Sequence, residues 1–178
     1  IFRSTMLPGS TRSLVADYLT DLKSGGLLWV YYCPEFLREG TAVADFRDPS
    51  LAVIGTNDGS APAGSEAAQL LGGTPAILKW EGAETIKYAC NYFHALKVGF
   101  ANEIGNVCKA LGVDSHEVMR IFCEDRKLNI SPYYLKPGFA FGGSCLPKDL
   151  RATVYAAQRH DVEVPILRAT LESNRKQI

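Results

Sequence analysis

Apolar positions along this chain change regime near residue 80, from short runs broken by turn formers to a long stretch at helical spacing. "IFRST" (1–5) reads as the end of a β-strand, and "LPGS" (7–10) as a turn into a helix from Thr11. "GGLLWVYYCPEF" (25–36) opens on a Gly-Gly stop and continues as a buried strand over 27–32, ending at Pro34. "SLAVIG" (50–55) and "GTPAILK" (73–79) are two further short strands. The loop "TNDGSAPAG" (56–64) and a short helix "SEAAQLL" (65–71) lie between them. Strands alternating with helices predict an α/β layer with parallel strands.

Residues 82–112 contain no proline and keep a helical period. Ile86, Cys90, Phe93, Lys97, Phe100, Ile104, Val107 and Leu111 recur at steps of three and four, so one stripe is mostly apolar. Such a helix is roughly 40 Å long, the length of a domain spine or an oligomer interface. Gly112 is its expected C-terminal stop. Asp114 and Glu117 then have the spacing of a capping box and restart a helix. After a proline- and glycine-rich loop (129–145), one helix is predicted from Pro147 towards His160 and another from about Pro165. The chain therefore divides into an α/β part over 1–80 and a helical part over 81–178, joined by the long helix.

The 178 residues carry equal numbers of acidic and basic side chains, so the formal net charge is zero. That balance exerts no general pull on nucleic acid or anionic lipid, although a few lysines can still converge on an anion. No apolar run reaches the length of a membrane span, and the first residues do not read as a signal peptide. Five cysteines without a CxxC pair predict reduced thiols in a cytoplasmic protein, with neither a disulfide framework nor a zinc site. The three histidines are far apart in sequence, and no metal site is expected. No GxGxxG follows a strand, and the first residues already read as the inside of a sheet, so the sequence reads as a fragment.

The segment "GFAFGGSCLPKD" (138–149) concentrates the candidate chemistry. Pro147 suits the first position of a helix, because its missing N–H costs nothing there. Cys145 then lies just before a helix N-terminus, where unpaired N–H groups and the dipole favour an anion and a thiolate is a competent nucleophile. Lys148 adds positive charge, and Asp149 in the first turn is a candidate acid/base or orienting group. Gly142 and Gly143 let backbone approach a ligand closely. The alternative is a small buried thiol in a turn. Lys87 and Asn91 are four apart, hence on one helix face, and a lysine beside an amide can stabilise an oxyanion; a solvated face accounts for the same spacing. Glu35 follows Pro34 at a strand end, where α/β sheets bind ligands, or is a solvated loop carboxylate. Asn129, Tyr133, Tyr134 and Lys136 suit a sugar or a phosphate, and equally an interface loop.

Together, "RSTMLPG", "PEFLREGTA", "IKYACNYFHALKVGFANEIG" and "PGFAFGGSCLPKD" resemble, in the same order, the nucleotide-sugar 6-dehydrogenases, the family of UDP-glucose and GDP-mannose dehydrogenases. The resemblance runs essentially the whole length. It implies that the α/β part is the last strands of a Rossmann-like NAD-binding domain, followed by the long helix and an all-α dimerisation domain. It implies oxidation of a sugar C6 alcohol to the aldehyde by hydride transfer to NAD, attack by Cys145, a second hydride transfer, and hydrolysis of the thioester to a carboxylate. Lys87, helped by Asn91, would stabilise the oxyanions, and Asp149 would handle protons or position water. Glu35 would be the base in hydrolysis, and Thr5 would place water near the nicotinamide. Thr5, Glu39 and Lys148 would contact the cofactor. Phe36, Leu37, Asn129, Tyr134, Lys136, Phe139, Phe141, Gly142 and Gly143 would hold the sugar nucleotide. No metal enters this scheme. The partners implied are GDP-mannose or UDP-glucose and a second copy of the chain.

Within the family, "CEDRKLNISPYYLKPGFAFGGSCLPKD" is most similar to the GDP-mannose branch, whose product GDP-mannuronate serves alginate synthesis. The UDP-glucose branch usually shows "DSRIG" where this chain has "DRKLNIS". Cys33 replaces the asparagine usual before "PEFL", and Lys136 stands where arginine is common, losing bidentate geometry. The family's GxGxxG half and its C-terminal nucleotide-binding domain have no counterpart in these residues, so the segment alone is expected to be inactive. Two other readings are a non-catalytic dimerisation module and a cysteine hydrolase. Retention of Cys145, Lys87, Asn91, Glu35 and Asp149 argues against the first. The second needs a histidine near the thiol, the nearest in sequence is His160, and no GxSxG elbow is present.

Overall fold

A computed structural model describes residues 1–26, 28–61, 74–135, 137–143 and 145–178. The helix predicted over 65–71 and the side chain of Lys136 lie outside these residues. The chain falls into two units, Ile1–Phe93 and His94–Ile178.

In the first unit, helices α1 (Ser10–Tyr18), α2 (Thr20–Ser24) and α3 (Ala42–Arg47) precede strands β1 (Val53–Thr56) and β2 (Ala76–Lys79). Helix α4 (Trp80–Ala110) follows β2 directly and runs on into the second unit. β1 and β2 pair in parallel, from Val53 opposite Ala76 to Thr56 opposite Lys79. All four residues of β1 are buried. Gly55 makes that possible: a Cβ there would lie 2.8 Å from the Ala83 Cβ and 3.2 Å from the Trp80 Cα, so only glycine lets α4 press on the strand.

The two strands expected before β1 are reduced to single bridges. Phe2 pairs in parallel with Tyr32, and Tyr32 pairs antiparallel with Gly55. The bonds are short and direct, Cys33 N to Phe2 O at 2.8 Å and Gly55 N to Tyr32 O at 2.7 Å. Pro34 has no N–H to offer and restricts the residue before it, which stops a longer ladder at that end. The parallel prediction therefore holds for β1 and β2, whereas the Tyr32–Gly55 bridge makes the layer mixed. Val15, Tyr32, Val53, Trp80 and Ala83 form the core of this unit, with Phe2, Met6, Leu19 and Ile86 packed around it.

Helix α1 has no side-chain cap of its own, and its N-cap Gly9 has φ +94°. Its first N–H groups are met from α4: Glu84 accepts from Gly9 N at 2.6 Å and Thr11 N at 2.7 Å, and is completely buried.

The second unit contains the rest of α4 and helices α5 (Ser115–Phe122), α6 (Cys145–Arg159) and α7 (Pro165–Lys176). Helix α4 ends in a Schellman motif, with Gly112 at φ +69°, Gly112 N donating to Lys109 O and Val113 N to Cys108 O. Asp114 caps α5 by accepting from His116 N at 2.8 Å and Glu117 N at 3.3 Å. Pro165 occupies the first turn of α7, and Glu103 of α4 accepts from Ile166 N at 2.5 Å and Leu167 N at 3.1 Å. Ala157, Val164 and Leu167 make the core, with Val107, Leu150, Val154 and Val162 against it. Among the described residues no helix is long and apolar enough to cross a membrane.

Candidate functional site

Four of the predicted residues, Glu35, Phe36, Leu37 and Lys87, come together in the first unit. Lys87 is buried on α4, and its Nζ donates to the Glu35 backbone carbonyl at 2.6 Å while lying 3.3 Å from Glu35 Oε1. The same ammonium sits 5.4 Å from the centre of the Phe36 ring. Glu35 is itself held, since its Oε2 accepts from Leu37 N at 3.0 Å. Burial weakens solvent screening, so the lysine charge is fixed in place rather than swinging in water. Asn91, one turn further along α4, is exposed.

Thr5 and Glu35 each lie three residues beyond a bridge residue, Phe2 and Tyr32, that pair in parallel. Both therefore leave the sheet from the same, carboxyl, end, which is where α/β sheets hold ligands. Thr5 is exposed, as is Glu39, which sits in a turn with Gly40 at φ +82°. Cys33 contrasts with this edge. It is fully buried, and burial pushes its thiol up, so it stays a neutral filler in the position next to Pro34.

The second unit carries the other candidates. Cys145 is exposed and is the first residue of α6, so the helix starts two residues earlier than Pro147 suggests. Proline is tolerated there because first-turn N–H groups have no acceptor within the helix. Lys148 and Asp149 follow on the surface, 3.5 Å apart and both largely exposed. Such a pair contributes little to stability, which leaves both groups available for other work. Gly143 has φ +76°, a backbone conformation that a side chain would strain. Gly142 is exposed, and Phe139 is 99% exposed.

Residues 125–130 fold on themselves. Asp125 Oδ1 accepts from Leu128 N and Lys127 N, both at 2.9 Å, and these backbone bonds hold its carboxyl below the usual range. The Asn129 amide, predicted as a substrate contact, donates to Phe122 O at 3.1 Å and closes the end of α5. Tyr134 has φ +64°, rare for a bulky residue, and is mostly exposed with its ring edge-on to Tyr133 at 4.8 Å.

Sequence reasoning missed Asn174 on α7 and Gln177 at its C-cap. The Asn174 side chain accepts from Phe141 N at 2.7 Å and donates to Phe141 O at 2.8 Å. Gln177 Nε2 donates to Gly138 O at 2.8 Å. The only hint in the sequence is two amides three apart at the end of a helix. Glu84 and Glu103 were also missed, and in the sequence they look like ordinary charges on a helix. Among the described residues no group of three His, Cys, Asp or Glu side chains converges on a metal position.

Residues 81–176 match the profile described as UDP-glucose/GDP-mannose dehydrogenase family, central domain, and residues 1–70 match that family's NAD binding domain. The chain is 49% identical over 182 residues to the GDP-mannose 6-dehydrogenase of Pseudomonas aeruginosa, covering 100% of this chain and 42% of that protein. A crystal structure of a ternary complex of GDP-mannose dehydrogenase from Pseudomonas aeruginosa matches with a TM-score of 0.86 at 47% identity, over 98% of this chain and 41% of that one. A UDP-glucose dehydrogenase from Pyrobaculum islandicum matches with a TM-score of 0.59 at 36% identity, over 98% of this chain and 40% of that one. The chain spans less than half the length of these relatives.

Proposed function

Because this chain belongs to the UDP-glucose/GDP-mannose dehydrogenase family, we propose that it supplies the central segment of an NAD-dependent GDP-mannose 6-dehydrogenase. Residues 1–80 would be the C-terminal part of the NAD-binding domain, and 81–178 the connecting helix and dimerisation domain. The observation that carries the reading is Cys145, exposed on the first turn of α6 within the segment 138–149. A thiol there faces solvent with helix N–H groups behind it, as a nucleophile requires.

NAD fits the residues present. Thr5 and Glu35 leave the sheet at its carboxyl end, Thr5 and Glu39 are exposed, and Lys148 offers an exposed cation. When bound, NAD would accept one hydride from the sugar C6 in each of two oxidations, one NAD molecule serving each. Between these oxidations the Cys145 thiolate adds to the C6 aldehyde, forming a C–S bond. The oxyanion that results is stabilised by the Lys87 ammonium and the Asn91 amide. After the second oxidation C6 is a thioester, and Glu35 takes a proton from the water that attacks it. The C–S bond breaks, the carboxylate leaves, and the thiolate is regenerated. Asp149 orders protons and water at the thiol. The segment 129–143 and Lys136 would hold the sugar nucleotide. GDP-mannuronate, the product, would serve alginate synthesis.

A homodimer belongs to the same reading. Tyr92 and Leu96, four residues apart and hence on one face of α4, are 72% and 36% exposed, and a second copy of the chain would cover them.

The test is the NADH yield of the full-length polypeptide carrying this segment, with GDP-mannose and UDP-glucose assayed side by side. Two NADH per GDP-mannose is the expected result. The same yield from UDP-glucose alone would overturn the substrate and leave the chemistry. No NADH from either sugar would favour a non-catalytic module. The isolated segment is expected to form none.

A further inference from the structure

Residues 138–143 precede the Cys145 helix, and four of them make little contact with the rest of the unit. Phe139 is almost wholly exposed, and a Cβ placed on Gly138, Gly142 or Gly143 would meet no atom within 4 Å. What holds them instead comes from α7. One Asn174 amide engages both the N–H and the C=O of Phe141, as a neighbouring strand would, and Gln177 takes the Gly138 carbonyl. Both Asn174 and Phe141 are half-buried, so water competes less for these bonds than at an open surface.

Helix α7 is a firm support for this clamp. Leu167 is in the core of the unit, and the first N–H groups of α7 are bonded to the buried Glu103. Asn174 stands two turns further along the same helix. Only three residues separate Phe141 from Cys145, so the clamp holds the chain close to the thiol.

We infer that Asn174 is a positioning residue, which sets the placement of the Cys145 thiol by clamping Phe141. The inference rests on the reading of Cys145 as the nucleophile. A well-oriented reacting group misplaced by about 1 Å costs on the order of 100-fold in rate, and that is the scale of effect expected here.

The experiment compares Asn174→Ala and Asn174→Asp with the unsubstituted full-length polypeptide. Asn174→Asp keeps an acceptor for Phe141 N and loses the donor to Phe141 O. Turnover of GDP-mannose is measured with kcat and KM separated. Iodoacetamide labelling of Cys145 and of Cys123, which is also exposed, is followed against pH by peptide mass spectrometry. The expected result is a kcat lowered on the order of 100-fold in Asn174→Ala, with KM for NAD unchanged and a smaller loss in Asn174→Asp. The pH profile of Cys145 labelling moves and that of Cys123 does not.

Labelling and kcat that match the unsubstituted protein would overturn the inference. So would a change shared equally by Cys123 and Cys145, because that reports loosening of the whole unit. If Asn174→Ala does not fold, Asn174→Asp decides by the same criteria. If neither sugar yields NADH, the functional reading fails separately, and the labelling profiles alone decide the role of Asn174.

Discussion

Lys87 shows at one residue what the fold arranges for chemistry. Its stem is buried, its charge is spent on the Glu35 carbonyl and carboxylate, and an aromatic ring lies beside it. In the proposed reaction this fixed charge is an oxyanion donor, and removing one such donor costs on the order of 100- to 1,000-fold in kcat. Lys87→Ala should lower the NADH rate of the full-length polypeptide by that order. Lys87→Arg should not restore it, because a planar guanidinium cannot replace a compact ammonium in a buried slot. A rate within about twofold of the unsubstituted protein in Lys87→Ala would remove Lys87 from the mechanism.

Acid sensitivity is also set residue by residue. Arg12 holds the Glu81 carboxyl below its ordinary range by direct bonds, and Arg38 does the same for Asp45. A carboxyl lowered in the folded state contributes stability above its unfolded pKa and loses it as pH falls through the folded value. Stability should therefore be flat near neutrality and decline below about pH 4.5, the ordinary carboxylate range. Thermal unfolding of Arg12→Gln should show a shallower decline than the unsubstituted chain. An identical slope would mean that the Arg12–Glu81 pair does not feed stability.

At the level of elements, the long helix was legible because a period of 3.6 over thirty-odd residues has no competitor, and Gly112 and Asp114 mark the break after it. The outer strands were not. A run such as "LLWVYY" records burial, but whether it ladders depends on neighbours it cannot name, and Tyr32 has only single-residue bridges to Phe2 and Gly55. The start of α6 shifted for a similar reason, since proline fits any position of a first turn. The caps supplied by Glu84 and Glu103 escaped because local rules read partners within four residues, whereas these act across 75 and 63. Losing one leaves N–H groups unmet in a buried place, which costs about 1–3 kcal/mol. Glu103→Ala should lower unfolding stability by that amount in urea titration.

The two packed glycines separate elements by how much they give way. At Gly55 an added methyl would strike the Ala83 Cβ and the backbone of Trp80, whereas at Gly99 it would strike the end of the Ile166 side chain. Gly55→Ala should therefore cost about 1–3 kcal/mol by overpacking, and Gly99→Ala distinctly less, because Ile166 can change rotamer. The reverse order in chemical unfolding would refute this account.

For the whole molecule, the candidate residues are divided between two units: Lys87, Glu35 and Thr5 in one, Cys145, Asp149 and the clamped loop in the other. The sequence made those residues visible through motifs, and their local settings follow from the fold. What motifs could not convey was support, because Asn174 and Gln177 lie some thirty to forty positions from the backbone they hold. Light scattering tests the proposed homodimer: Tyr92→Glu combined with Leu96→Glu should shift the full-length polypeptide towards monomer, and an unchanged mass would sink this face as the interface.

The placement of Glu84 and Glu103 on one helix also bears on the order of assembly. Helix α1 precedes α4 in the chain, yet the carboxylate that completes its N-terminus comes 75 residues later. Until α4 forms, α1 is a short uncapped segment, below the length at which an isolated helix persists in water. α4 should thus be the early structure, with α1 and α7 condensing onto it. Substitutions at Glu84 should then speed unfolding more than they slow refolding, which stopped-flow kinetics would show as a low ratio of activation to equilibrium change.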